Sequence, residues 1–197
     1  MSTLLAPPTV ARPAPAPAPP ALLTAEEFYT RYGRGGYALV KGVVTEVSMP
    51  GGRHGKVCVK VAYELEAFVR ANPLGHVMSN DTLVVLRRGP DTTRGSDVCF
   101  VSFDTLPKES VPDGPLTVIP ELVFEVRSPS DPWTEVIEKM LDYLKAGVKV
   151  VVILDPKTQS ASVFRPQDRQ EMLEADQTLT IPDVLPGFAV VVGRFFE

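Results

Sequence analysis

Cysteine and histidine are scarce in this chain of 197 residues, with only Cys58, Cys99, His54 and His76 present. The two cysteines make no C-x-x-C pair and fall within apolar segments, so both read as core residues. Four such residues, dispersed in this way, assemble no His/Cys zinc cage. A metal would be held mainly by carboxylate oxygens, which favours magnesium or manganese. No apolar run approaches the roughly 18 residues a membrane helix needs, so a membrane protein is excluded. The N-terminus carries no basic stretch followed by an apolar one, so no secretory signal is read and the cytoplasm is the default address. Neither G-x-x-x-x-G-K-[ST] nor G-x-G-x-x-G after a strand occurs, nor a G-x-S-x-G elbow, which removes those nucleotide-binding and hydrolase classes. Excess positive charge is lacking as well. The 20 Lys and Arg are outnumbered by 24 Asp and Glu, for a net charge of −4. Bulk charge therefore does not coat nucleic acid, although a local basic groove remains compatible with binding it.

What is present is an ordinary globular composition, 44% hydrophobic and 22% charged, following a biased leader. Residues 1–20 include the run from Ala11 to Pro20 in which alanine and proline alternate. Such a segment builds no core and is expected to be an extended, disordered tail, which leaves residues 21–197 as a single domain.

Thr24 and Glu27 have capping-box spacing, predicting a short helix to about Tyr32. Tyr37 to Val47 reads as a hairpin turning at Lys41 and Gly42. His54 to Ala71 reads as a helix with Val57, Val61, Leu65 and Phe68 on one face, ended by Asn72 and Pro73. Strands are expected at 75–78, 82–87, 97–102 and 122–126. A helix then begins with Asp131 as cap and Pro132 in its first position, presents Val136, Met140, Tyr143 and Leu144, and closes at Gly147. Val148 to Leu154 is uniformly apolar, as a strand buried on both faces would be. Ser160 to Arg165 and Glu171 to Ile181 read as edge strands. The pattern is that of an α/β protein with a mixed sheet between helices, an α/β/α architecture.

Glu125 stands inside the apolar run Leu122 to Val126, where a carboxylate either points outward or is offset by a cation. Arg127, two residues on, is placed on the same strand face, where the plain alternative is a Glu125–Arg127 ion pair. Asp97 opens another apolar strand. If neighbouring strand ends bring Asp97 and Glu125 within about 4–6 Å, their repulsion calls for a divalent ion or a shared proton. Lys139 interrupts the apolar face of the later helix and can direct its ammonium toward the preceding strand. The alternative is a lysine at the helix edge, or one paired with Glu135. Arg53, His54, Lys56 and Lys60 form a basic stretch at a helix start, where open amides also attract phosphate, or else a solvated helix face. Arg87, Arg88 and Arg94 add a cationic hairpin tip.

The segments SDVCFVS from Ser96, PELVFEVRSPSD from Pro120, KMLDYLKAGV from Lys139 and Leu154-Asp155-Pro156 resemble, in order and spacing, the Uma-type putative restriction endonuclease family. That family is a branch of the PD-(D/E)XK nuclease superfamily. The likeness runs from Thr24 to Phe188. It implies a restriction-endonuclease-like sheet in which Asp97 and Glu125 hold Mg2+ or Mn2+, with a neighbouring cation, Arg127 or Lys139, orienting the attacking water. It further implies hydrolysis of phosphodiester bonds, with DNA as the expected substrate, RNA left open, and a homodimer to cut two strands. Three positions depart from the pattern. The superfamily lysine two residues after the glutamate is Arg127, which is never deprotonated and so cannot act as a base, leaving Lys139 to substitute from the helix. Ala38 lies where a hairpin glutamate is common, with Glu46 as the nearby stand-in, and Ser96 replaces a proline. A nuclease-derived binding or assembly protein that cleaves nothing is the alternative.

Overall fold

The chain enters the fold through a closed capping box. The Thr24 hydroxyl accepts the Glu27 N–H at 3.2 Å, and the Glu27 carboxylate accepts the Thr24 N–H at 3.0 Å. Helix α1 (Ala25–Tyr32) follows. This computed structural model describes residues 21–33 and 35–197. The leader at 1–20, with its expected disorder, lies outside the described residues.

Strands β1 (Tyr37–Val40) and β2 (Val43–Glu46) form the expected hairpin. Lys41 and Gly42 both have positive φ, 52° and 79°, the two-residue turn whose twist matches the flanking strands. Helix α2 (Gly52–Ala71) buries Val57, Val61, Leu65 and Val69. The sequence placed three separate strands after it, but there are two long ones, β3 (Gly75–Arg87) and β4 (Thr92–Ser102). The apparent break at 79–81 is a bulge. Register shifts between Ser79 and Thr82, where Asn80 and Asp81 sit at φ 67° and 54°. Polar residues there looked like a turn, but a bulge leaves the strand continuous.

Strand β5 (Leu122–Val126) runs antiparallel to β4. It is parallel to β6 (Val150–Asp155), joined to it through helix α3 (Trp133–Ala146). The cap position of α3 is Pro132, with no side-chain cap. Asp131 instead accepts the Ser128 N–H at 3.1 Å and closes the preceding turn. Gly147 ends the helix at φ 110°, as expected of a left-handed C-terminal glycine.

Strand β7 (Ser160–Phe164) corrects a second expectation. It is flanked by β6 and by β8 (Glu171–Leu173), so it is an interior strand. The expected strand at 171–181 is divided between two sheets, since β9 (Thr178–Ile181) pairs only with β10 (Leu185–Val191). The main sheet of eight strands runs β2-β1-β4-β5-β6-β7-β8, with β3 added on β4.

Two apolar layers sandwich the sheet. Val98, Leu122, Phe124, Val152 and Leu154 face α2 and the C-terminal segment, whereas Cys99, Val123, Val151 and Ile153 face α3. Strands β5 and β6 are buried along their whole length, which is why their sequences lack polar alternation. The α/β/α expectation holds. No helix among the described residues is long and apolar enough to cross a membrane.

Candidate active site

The β4–β5 register pairs Val98 with Phe124. The ladder ends at that pair, and Asp97 and Glu125 are the next residues beyond it on the two strands. Both acids are nearly inaccessible, 5% and 7% exposed. The charge of Asp97 acts on the Glu125 carboxyl across these adjacent strands.

Helix α3 supplies the compensation for Glu125. Lys139 donates to Oε2 at 2.5 Å, and the Tyr143 hydroxyl is 2.9 Å from Oε1 and 3.1 Å from the Gly95 carbonyl. Lys139 therefore does reach toward the strand, and no Lys139–Glu135 pair forms. Burial pushes the Glu125 carboxyl up to about 7, with Lys139 opposing and Asp97 reinforcing that rise. Tyr143 was legible only as an apolar position. Its location one turn after Lys139 was the available signal, because a buried phenol needs a polar partner.

Asp97 is anchored differently. Its Oδ2 accepts the Val126 N–H at 2.7 Å and lies 3.1 Å from His54 Nε2. Burial works against its ionisation, yet the His54 hydrogen bond, the Lys139 and His54 charges and the Val126 amide hold the carboxyl below its ordinary value. Burial also opposes charge on His54. Its hydrogen bonds to Asp97 and Cys58 outweigh this and raise the imidazole to about 10. His54 was read among the basic residues of the helix start. It instead turns inward, where its Nδ1 lies 3.4 Å from Cys58 Sγ. Cys58 is half-buried rather than sealed in the core.

The β3 bulge contributes a third carboxylate at the rim. Partial desolvation and the charge of Asp97 raise the Asp81 carboxyl. A Cβ on Gly95 would come within 3.3 Å of Asp81 Cβ, so the missing side chain leaves room for the bulge to lie against β4. Two non-glycine residues held at positive φ are the sort of local strain that functional sites retain.

Arg127 lies elsewhere. It follows the last residue of β5, its guanidinium pairs with Asp155 at 2.8 Å and reaches the Asp131 carbonyl at 3.3 Å, and it stacks 4.6 Å over Trp133. The alternative Glu125–Arg127 pair does not form. Among the other basic residues, Arg53 and Lys56 are exposed and Lys60 is half-buried on α2. Two of the hairpin arginines are engaged, Arg88 by Glu26 and Asp91 and Arg94 by Asp142. Glu46 is exposed at the end of β2, and Ala38 is buried in β1.

A model of the Uma2 family, described as putative restriction endonuclease, matches residues 25–193. The chain belongs to that family. The Uma2 match spans the segments around Asp97, Glu125 and Lys139 noted from the sequence. Among solved structures, the chain is similar to one titled a putative nuclease belonging to DUF820 from Anabaena variabilis ATCC 29413. That match has a TM-score of 0.71 at 19% identity and covers 81% of this chain and 89% of the other. It establishes the shared fold. No curated protein matches the chain.

Proposed function

We propose that this Uma2 protein is a metal-dependent endonuclease that hydrolyses phosphodiester bonds of DNA. The observation that carries this reading is the burial of Asp97 and Glu125 on adjacent strands with Lys139 beside them. The donor set suits a hard divalent ion, since it consists of carboxylate oxygens and the hydrogen bonds to Asp97 converge on Oδ2 alone. Asp97 and Glu125 would hold Mg2+ or Mn2+, with Asp81 at the rim. Such an ion, when bound, neutralises phosphate oxygen charge and lowers the pKa of bound water.

The chain's own groups do the positioning. Lys139 supplies a fixed positive charge next to the reacting phosphate, and Tyr143 fixes the rotamer of Glu125. The Val126 amide and His54 orient Asp97. Arg127 remains in the proposal as a residue acting through Asp155 and the β5 end rather than at the carboxylates. Helix α2 has Gly51 at its N-cap, with no side-chain cap and no acid in its first turn, so its amides, with Arg53, Lys56 and Lys60 along it, form a surface suited to a phosphate backbone. Cutting both strands of a duplex calls for two such sites, and we include a homodimer in the proposal. The interior position of β7 removes that strand as a pairing edge, which leaves the exposed faces of β2, β8 and α2.

The test is plasmid cleavage with Mg2+ or Mn2+ by the wild type and by Asp97→Ala and Glu125→Ala, with light scattering for the dimer. Cleavage lost in both variants, with nucleic-acid binding retained, supports the assignment. A wild type inert on DNA and RNA with either metal, yet binding as tightly as the variants, establishes the non-cleaving alternative.

A further inference from the structure

His54 and Cys58 stand one turn apart on α2, and Asp97 faces them from the middle of β4. His54 Nδ1 is 3.4 Å from Cys58 Sγ, and its Nε2 is 3.1 Å from Asp97 Oδ2. One donor atom from each of the three residues lies within 4.8 Å of the others. We propose that Cys58, His54 and Asp97 form a binding site for a zinc-class cation, distinct in donor chemistry from the oxygen-only Asp97–Glu125 pair and sharing one carboxylate with it.

Sulfur, imidazole nitrogen and carboxylate oxygen are the three donor types zinc accepts, and a thiolate in the set selects against magnesium. The i, i+4 spacing places both helix donors on one face. Ligands around a tetrahedral zinc stand on the order of 3.5 Å apart, given metal–ligand distances of 2.0–2.3 Å. His54 Nδ1 and Cys58 Sγ, at 3.4 Å, already stand at that separation, whereas Asp97 Oδ2 lies against the other ring nitrogen, so the imidazole must turn to present one nitrogen to an ion shared by all three. Asp97 is the fixed point, because the Val126 amide holds it and provides the supporting hydrogen bond typical of a ligating carboxylate. On binding, the Cys58 thiol proton and any proton on the coordinating imidazole nitrogen pass to solvent. Three protein donors leave the fourth position for water. This donor set was not anticipated from the sequence, where the two cysteines and two histidines were considered as a complete cage and a carboxylate was not counted as completing a smaller one.

Cobalt chloride serves as the spectroscopic probe, titrated into the full chain without nucleic acid. The expected result is one cobalt per chain with a sulfur-to-cobalt charge-transfer band that persists in excess magnesium and is displaced by zinc. Cys58→Ala and His54→Ala should lose the band, while Cys99→Ala, in the core facing α3, should keep it. Circular dichroism shows that each variant is folded. The absence of a band in the wild type, or its survival in Cys58→Ala, overturns the site and leaves the three side chains as a hydrogen-bonded row. The readout needs no cleavage, so it is separate from failure of the nuclease assignment.

Discussion

Lys139 on α3 and Glu125 on β5, fourteen residues apart, meet as an ion pair with Nζ 2.5 Å from Oε2, its carboxylate buried and its lysine half-buried. Breaking such a pair from one side leaves an uncompensated charge, a larger loss than the net worth of the pair. Lys139→Met is expected to lower stability by about 3 kcal/mol at pH 8, by denaturant unfolding. The loss should shrink at pH 5, where Glu125 is protonated. An equal loss at both pH values would show that packing, not charge, dominates.

Metal affinity should depend on pH in a defined direction. Glu125 is raised to about 7, and an ion must displace its proton to bind. Mn2+ affinity, followed by electron paramagnetic resonance, is expected to rise as pH increases through 7 and to level off above it. Glu125→Gln should bind weakly and lose that rise.

His54 predicts the opposite trend for stability. Its folded value, about 10, exceeds its ordinary 6.5, so the folded state holds the proton more tightly. The stabilisation is complete below about pH 6.5 and is lost progressively as pH rises toward 10. Thermal unfolding of the wild type minus that of His54→Gln should show the difference narrowing across that window. A difference independent of pH would refute the charged His54–Asp97 pair.

Binding to duplex DNA should report the α2 surface through salt. Each phosphate contact contributes about 0.9 to the slope of log affinity against log salt. Replacing both Arg53 and Lys56 with alanine is expected to reduce that slope by roughly 2, without changing sequence preference. An unchanged slope moves the interface to another face.

The fold was largely legible because its signals are local: the capping box at Thr24, the apolar period of α2, the Gly147 stop and the unbroken apolar run of β6. Less legible was whatever depends on strand neighbours. Asn80 and Asp81 resemble a turn in sequence, and only pairing with β4 shows that they form a bulge. Ser160 to Arg165 reads as an edge strand, yet β8 pairs alongside it.

The site divides along the same line. Asp97, Glu125 and Lys139 were found because a charge inside an apolar run is conspicuous. His54 was noticed among the basic residues of the helix start, and a helix start does not reveal which way its side chains turn. Cys58 and Tyr143 were absorbed into apolar faces, because sequence spacing gives the face and not the polar atom at its far end. Arg127 shows the converse. Residue alternation aligned it with Glu125, but the strand ends at Val126, and Asp155 and Trp133 took the guanidinium.

Asp97 is contacted by a side chain rooted in α2, and Glu125 by two rooted in α3, so the pocket is stitched from both faces of the sheet. Neither layer carries it alone. Loosening either helix dismantles the constellation, and any chemistry performed there is confined to molecules in which both outer layers are seated at once.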